Sequence, residues 1–138
     1  MNVNTYLTFQ DNCRQAFEFY RSVFGGEFTD LQSFRDGPDM GVPEGELDLV
    51  MHVSLPIGSG VLMGSDRASF GSPLTTGNNF SLSIAPDSKE EADALLAKLS
   101  DGGQVTMPMQ DMFWGAYFGM CTDRYGINWM LVYAPPQE

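Results

Sequence analysis

Basic residues are scarce in this sequence: 7 Lys and Arg side chains stand against 18 Asp and Glu, so the formal net charge is −11. Proteins that bind nucleic acid neutralise phosphates with clustered Lys and Arg. Anionic membrane surfaces attract the same two residue types. The sequence therefore predicts no nucleic-acid partner and no membrane partner.

Cysteine and histidine are also rare, with two cysteines, Cys13 and Cys121, and a single histidine, His52. Two cysteines cannot build a disulfide framework, and no Cys-x-x-Cys unit indicates zinc. Long apolar runs are missing, and Met1–Asn4 lacks the basic and apolar parts of a signal peptide. We therefore expect a cytoplasmic protein without a membrane span.

The two halves of the sequence follow one plan. Asn79–Ile84 resembles Asn4–Phe9 at a constant offset of 75, and both segments alternate between apolar and polar residues as strands do. A helical pattern follows each strand and ends at a Gly-Gly pair, Gly25-Gly26 or Gly102-Gly103. We expect Asp11 or Asn12 to cap the first helix and a capping box at Ser88–Glu91 to begin the second.

About three further strands complete each half, so the sequence predicts a single α+β domain over residues 1–138. Its two tandem βαβββ modules would span residues 1–70 and 76–138. One such module leaves an apolar sheet face uncovered, whereas two modules can build one curved mixed sheet with helices on its convex face. The concave face would then form a cleft suited to a small ligand.

Eight segments along the chain carry a resemblance: Tyr6–Phe9, Asn12–Tyr20, Val23–Glu27, Val50–Val53, Val61–Asp66, Gln110–Gly115, Tyr117–Gly119 and Thr122–Trp129. They resemble PhnB-like proteins of the glyoxalase/bleomycin-resistance/dioxygenase superfamily, also called the vicinal oxygen chelate superfamily. The resemblance implies a homodimer of paired βαβββ modules, with a cavity in each curved sheet that binds a small molecule.

Enzymes of that superfamily hold a divalent metal with His, Gln or Glu from four strands. The resemblance places those positions near Thr5, Met63, Asn79 or Phe80, and Met130. None of them carries a carboxylate or an imidazole, and a register error of one residue (Asn4, Tyr6, Gly64 or Leu131) does not restore one. We therefore predict no cofactor, with a divalent metal as the disfavoured alternative.

The polar face of the strand predicted over Leu47–Leu55 carries His52 together with Asp48, Val50 and Ser54. His52 is either a structural residue bonded to a neighbouring strand or a cavity-lining donor or base. No catalytic residue is assigned. The residues that we expect to line the cavity are Tyr6, Thr8, His52, Met63, Trp114 and Tyr117.

Several other side chains have one favoured interpretation each. Asp123 and Gly126 indicate a turn in which the carboxylate accepts backbone N–H bonds and the glycine takes a positive φ. Cys13 lies at a helix N-terminus beside Arg14, which favours a thiolate, but it has no partner for redox chemistry. Trp129 is expected in the core, whereas the aromatic and Met-rich segment around Trp114 suits a pocket, a dimer interface or the core.

Three functions remain open at this point. We favour a small-molecule binding protein or metal-independent enzyme of undetermined reaction. A metal-dependent lyase or dioxygenase is the second hypothesis, and a drug-sequestering resistance protein is the third. The sequence does not decide whether the chain is an enzyme.

Overall fold

The structure is a computed structural model that describes residues 1–69 and 71–136. The chain divides into two compact units, Met1–Thr75 and Thr76–Glu138. Each unit has the element order strand, helix and three strands. Among the described residues, no helix has both the length and the apolar character that a membrane crossing requires.

The first unit contains a four-stranded mixed sheet with the order β1-β4-β3-β2. Strands β1 and β4 are parallel, and the other neighbours are antiparallel. Two short 3-10 turns, Phe34–Asp36 and Glu44–Glu46, lie between β2 and β3. The elements are β1 (Thr5–Phe9), α1 (Cys13–Phe24), β2 (Asp30–Ser33), β3 (Val50–Ile57) and β4 (Gly60–Asp66).

The second unit repeats this topology with the strand order β5-β8-β7-β6. Strand β5 is parallel to β8, and the remaining pairs are antiparallel. The elements are β5 (Leu82–Ile84), α2 (Lys89–Leu99), β6 (Gln104–Asp111), β7 (Tyr117–Thr122) and β8 (Asn128–Tyr133). The predicted α+β class and the two βαβββ modules are confirmed, and the hydrogen bonds arrange the strands as two four-stranded sheets.

The core of the first unit lies between α1 and one face of its sheet. Ala16, Phe17 and Tyr20 of the helix are almost completely buried, as are Leu7 and Val53 of the sheet. The close approach requires a glycine at position 64, because a Cβ atom there would lie 2.6 Å from a Phe17 ring carbon. This contact identifies the face of the sheet that carries Gly64 as the helix side.

The second unit buries its helix in the same manner. Leu96 and Leu99 of α2 are buried, and so are Cys121, Trp129 and Leu131 of the sheet. The prediction that Trp129 lies in the core is confirmed.

The two helices begin differently. Ser88 caps α2 as predicted, since its hydroxyl accepts a hydrogen bond from the Glu91 N–H at 3.0 Å. Asn12 occupies the N-cap position of α1 but makes no side-chain cap hydrogen bond. The Cys13 N–H donates instead to the Asp66 carboxylate at 2.9 Å. The predicted local cap is therefore wrong, because a carboxylate at the end of β4 replaces it.

The predicted alternation along Leu47–Leu55 fails at its beginning. Strand β3 starts only at Val50, and the pairing with β2 shifts between Gln32 and Ser33. A bulge of this kind inserts one residue and reverses the alternation of faces. Val50 is consequently buried at 1% exposure instead of sharing the face of His52.

Candidate functional site

A row of four residues crosses the first unit's sheet on the face turned away from α1. Tyr6 on β1 pairs with Met63 on β4, Met63 pairs with Ser54 on β3, and Ser54 pairs with Asp30 on β2. Residues paired across neighbouring strands point to the same face of a sheet. Each of these four is also adjacent in the sequence to a residue of the helix side, and adjacent strand residues point to opposite faces. We call this surface the open face of the first unit.

His52 connects the members of this row through hydrogen bonds. Its Nδ1 lies 3.1 Å from the Tyr6 hydroxyl, and its Nε2 lies 2.9 Å from the Ser54 hydroxyl. The rings of Tyr6 and His52 are stacked, with centroids 5.6 Å apart. Tyr6, Asp30, His52 and Ser54 form what we call the polar cluster.

The carboxylate of Asp30 determines how the polar cluster shares its protons. Asp30 Oδ2 lies 3.8 Å from His52 Nε2, and its other oxygen accepts a hydrogen bond from Gln32 at 3.1 Å. A negative charge beside Nε2 favours the tautomer that carries the proton there. In that tautomer Nδ1 accepts from the Tyr6 hydroxyl, and Nε2–H points toward Ser54 and Asp30.

The polar cluster is accessible at both ends. Tyr6 is 46% exposed and the Asp30 side chain is 41% exposed, whereas Ser54 between them is only 8% exposed. A ligand can therefore reach Tyr6 and Asp30, while Ser54 and His52 hold the cluster together from within the sheet.

The open face of the first unit carries four of the six predicted cavity residues, which are Tyr6, Thr8, His52 and Met63. Thr8 pairs with Ser65 in the neighbouring row, and His52 pairs with Gln32. The sequence prediction missed Asp30 and counted Ser54 only as a neighbour of His52. Their polar positions on strands β2 and β3 were the signal, but pairing those strands required the tertiary structure.

The corresponding face of the second unit carries a row of different chemistry. Ser83 pairs with Met130, Met130 with Met120, and Met120 with Met107. These residues alternate with buried residues such as Cys121 and Leu131, so they lie on the side away from α2. We call this surface the open face of the second unit and its three methionines the methionine row.

Trp114 and Tyr117, the two remaining candidates, are separated by the fold. Trp114 lies in the β6–β7 turn, is 54% exposed, and packs its ring 6.1 Å from Phe118. The Tyr117 hydroxyl donates to Asp93 of α2 at 2.6 Å, which places Tyr117 on the helix side. This hydrogen bond raises the pKa of Tyr117 above its ordinary value.

Among residues 1–69 and 71–136, each unit has one buried carboxylate, and both have a structural role. Asp123 accepts hydrogen bonds from the N–H groups of Tyr125 and Ile127 and from the Trp129 indole at 2.9 Å. Gly126 takes a φ of +86°, so the predicted turn is confirmed. Asp66 accepts from the N–H groups of Cys13 and Val50, both at 2.9 Å. Burial raises the pKa of Asp66, although these two hydrogen bonds oppose the rise.

Cys13 does not have the thiolate character that its position at a helix N-terminus suggested. Its side chain is fully buried, and burial together with the charge of Asp66 raises the pKa of the thiol far above its ordinary value. Arg14 lowers that pKa by a smaller amount. The prediction is wrong because loss of hydration outweighs the helix terminus.

The residues present do not fit the divalent metal that the superfamily uses. Across residues 1–69 and 71–136, no group of three or more His, Cys, Asp and Glu side chains is placed to hold a metal ion. Thr5 pairs with Leu62 on the helix side, so Tyr6 is the residue of β1 that shares a face with Met63. A neutral phenol and a thioether are poor ligands for the divalent metals that superfamily enzymes bind.

A separate cavity of about 350 Å³ lies among the residues between β2 and β3. None of the six predicted cavity residues lines it. Its lining residues are Phe34, Arg35, Gly37, Pro38, Asp39, Met40, Val42, Glu44 and Leu47.

Comparison with known proteins identifies relatives over nearly the whole chain. The model of the Glyoxalase/Bleomycin resistance protein/Dioxygenase superfamily matches residues 2–131. Protein YjdN of Escherichia coli (strain K12) is 27% identical over 140 residues, which cover 95% of this chain and 94% of YjdN.

Two solved structures share both fold and sequence. Protein PA1353 of Pseudomonas aeruginosa is 39% identical with a TM-score of 0.87, over 97% of this chain and 98% of that one. The PhnB protein of Bacillus cereus is 26% identical with a TM-score of 0.79, over 97% of this chain and all of that one. These likenesses agree with the resemblance found in the sequence.

Proposed function

The chain belongs to the glyoxalase/bleomycin resistance protein/dioxygenase superfamily as a PhnB-like member, and from this premise we propose that it binds a small molecule on the open face of the first unit without a divalent metal. The observation that carries the proposal is the hydrogen-bonded polar cluster with the exposed Tyr6 at one end. A cytoplasmic location stays a prediction.

The chemistry of this face favours a ligand that donates hydrogen bonds. With the Tyr6 proton directed to His52, the phenol oxygen offers lone pairs outward, and the Asp30 carboxylate adds a second acceptor. The residues of the two paired rows include neither Lys nor Arg: Tyr6, Met63, Ser54, Asp30, Thr8, Ser65, His52 and Gln32. A hydroxyl or amino compound therefore suits the face better than a phosphate or carboxylate.

The test is a ligand-observed NMR screen with two arms, one of small hydroxyl and amino compounds and one of carboxylates and phosphates. We expect hits in the first arm, with the ring signals of His52, the single histidine, shifting on binding. Tyr6→Phe and His52→Ala should each weaken binding about tenfold. The first removes the phenol oxygen that faces the ligand, and the second removes the ring that orients it.

Tyr117→Phe is the matched control. It also removes one tyrosine hydroxyl and one hydrogen bond, but on the helix side of the second unit. Hits confined to anions, or hits that Tyr6→Phe and Tyr117→Phe weaken equally, would contradict the proposal. Stoichiometric divalent metal in protein purified without chelator would favour the metal-dependent alternative.

We also propose that the protein is a homodimer. Support comes from the β6–β7 turn, where Phe113 is 96% exposed and stacks edge-on against Trp114 with centroids 5.2 Å apart. Exposed aromatic side chains of this kind are enriched at interfaces. Light scattering should give twice the chain mass of 15.2 kDa, and Phe113→Asp should shift the protein toward monomer. A monomer mass for the unchanged protein would refute the dimer.

A further inference from the structure

The methionine row of the second unit has the donor set of a soft-metal site, and we propose that Met107, Met120 and Met130 bind one Cu(I) ion through their thioether sulfurs. The three residues lie on the adjacent strands β6, β7 and β8 and are directly paired in register. Neighbouring strands lie about 4.8 Å apart, and unbranched Met side chains have three rotatable bonds. The outer two can therefore lean toward Met120 and share one ion.

A bulge in β6 is what brings Met107 into the row. Val105 pairs with Cys121 on the helix side, and regular alternation would keep Met107 on that side as well, opposite Gly119. The register shifts between Val105 and Met107, so that Met107 pairs with Met120 instead. Bulges re-aim side chains in this manner beside functional sites.

The surroundings of the row select a soft monovalent cation over a divalent one. Thioethers are neutral, soft ligands that suit Cu(I), whereas Zn²⁺, Mg²⁺ and Ca²⁺ require carboxylates, imidazoles or thiolates. The neighbouring rows hold Phe118 paired with Val132 and Thr122 paired with Asn128, none of which is charged. The net charge of −11 draws cations toward the protein without supplying a carboxylate ligand here.

The two cysteine thiols, which would compete with the thioethers for a soft metal ion, are buried. Cys13 and Cys121 are 0% and 1% exposed, and burial raises the pKa of both, that of Cys121 to about 11. The three methionines are each partly exposed. An incoming soft cation therefore meets thioethers before it meets a thiolate.

Met109 supplies a matched control on the same strand. Its sulfur lies against Gly119, which belongs to the helix side of the sheet. Replacement of Met by Leu nearly conserves volume and removes the donor sulfur. Met120→Leu thus removes the central ligand of the row, while Met109→Leu removes a sulfur outside it.

The experiment uses the full chain with 13C-labelled methionine methyl groups, titrated with Ag(I) as a redox-inert probe and with Cu(I) under anaerobic conditions against a chromogenic chelator. We expect one ion per chain and shifts of the Met107, Met120 and Met130 methyl signals among the nine methionines. Met120→Leu should weaken Cu(I) affinity about tenfold or more, whereas Met109→Leu should leave it within about twofold.

Three results would overturn the proposal. The first is a titration in which the methyl signals of the methionine row do not shift, which would place the ion on a thiol or elsewhere on the surface. The second is equal affinity in the unchanged protein and Met120→Leu. The third is tighter binding of Zn²⁺ than of Cu(I). If Met120→Leu fails to fold by circular dichroism, the methyl shifts of the unchanged protein decide alone.

Discussion

The two units have the same element order and sheet topology but differ in what their open faces carry. The first presents a phenol, an imidazole, a hydroxyl and a carboxylate, whereas the second presents three thioethers beside Phe118. Their helix sides are alike, because both must bury the apolar stripe of a helix. The repeat is therefore constrained where packing demands it, and its open faces are left available for different chemistry.

The two units also differ in the length of the segment that joins their second and third strands. Helices α1 and α2 end at Phe24 and Leu99, an offset of 99 − 24 = 75. The last strands end at Asp66 and Tyr133, an offset of 133 − 66 = 67. The offset falls because the segment between β2 and β3 is longer than the turn between β6 and β7. Loops tolerate such changes in length, whereas the helix and the strand before it do not.

The buried carboxylates make the comparison testable by mutation. We expect the largest effect at Asp123, where three N–H groups lose their acceptor in Asp123→Ala. The free energy of unfolding should fall by about 3 kcal/mol, as measured by urea denaturation. The control is Asp101→Ala, an exposed ion-pair partner of Arg124, which should change it by less than about 0.5 kcal/mol. Equal losses in the two variants would contradict the structural role of Asp123.

Asp66→Ala should cost less than Asp123→Ala, about 2 kcal/mol, because two N–H groups and not three lose their acceptor. The cost should also depend on pH. Burial raises the pKa of Asp66, so the folded protein holds this proton more tightly than the unfolded chain does. The contribution of Asp66 to stability is then complete below its ordinary pKa of about 3.9 and declines as the pH rises through its raised value.

Urea titrations at a series of pH values measure whether the contribution of Asp66 to stability falls or grows with rising pH. The stability advantage of the unchanged protein over Asp66→Ala should shrink as the pH rises from about 4 through the raised pKa of Asp66. An advantage that grows over this interval would mean that the hydrogen bonds from Cys13 and Val50 outweigh burial.

Tyr6→Phe should produce a smaller loss, about 1 kcal/mol, since it removes one hydrogen bond to His52. Nitrogen-15 NMR of the single histidine should show the Nε2–H tautomer before the substitution and a changed Nδ1 shift after it. Tyr117→Phe in the second unit should cost a similar amount, because its hydrogen bond to Asp93 is exposed to solvent as well. Detection of the Nδ1–H tautomer in the unchanged protein would overturn the proton arrangement of the polar cluster.

The smallest expected effect is on the reactivity of the two cysteine thiols, and it involves no change in stability. Both thiols should resist a thiol-specific reagent at neutral pH and react together when the protein unfolds, because both are buried. At alkaline pH Cys121 should react before Cys13, since its pKa is raised only to about 11 and that of Cys13 is raised further. Mass spectrometry of the labelled peptides gives the order. Rapid labelling of Cys13 in the native protein would contradict the burial of the first unit's helix N-terminus.

Much of the fold was predictable because local patterns carry it. The order of the elements followed from the alternation around Tyr6, the capping box at Ser88 and the pair Gly25-Gly26 after α1, and the turn at Asp123 followed from its residue types. Helix α2 ends at Leu99, before the predicted end at Gly102-Gly103. The family likewise followed from short segments, and the match over residues 2–131 confirms it. Val50 and Asn12 were predicted wrongly because a bulge and a distant carboxylate, both tertiary features, overrule the local pattern there.

The candidate site was predictable only in part. Tyr6, Thr8, His52 and Met63 were identified by their strand positions, and the structure places all four on one face. Tyr117 was grouped with Trp114 because the two are close in the sequence. The hydrogen bond of Tyr117 to Asp93 instead assigns it to the helix side.

By itself, the sequence determined the scarcity of histidine and cysteine, the duplicated plan and the class of fold, since residue types and their periodicity are local properties. Only the tertiary structure decided which strands are neighbours and in which register, and therefore that Tyr6 meets His52 and that Met107 meets Met120. The physical reason is that strand register shifts by whole residues, and a shift of one residue moves a side chain from the buried face to the open one.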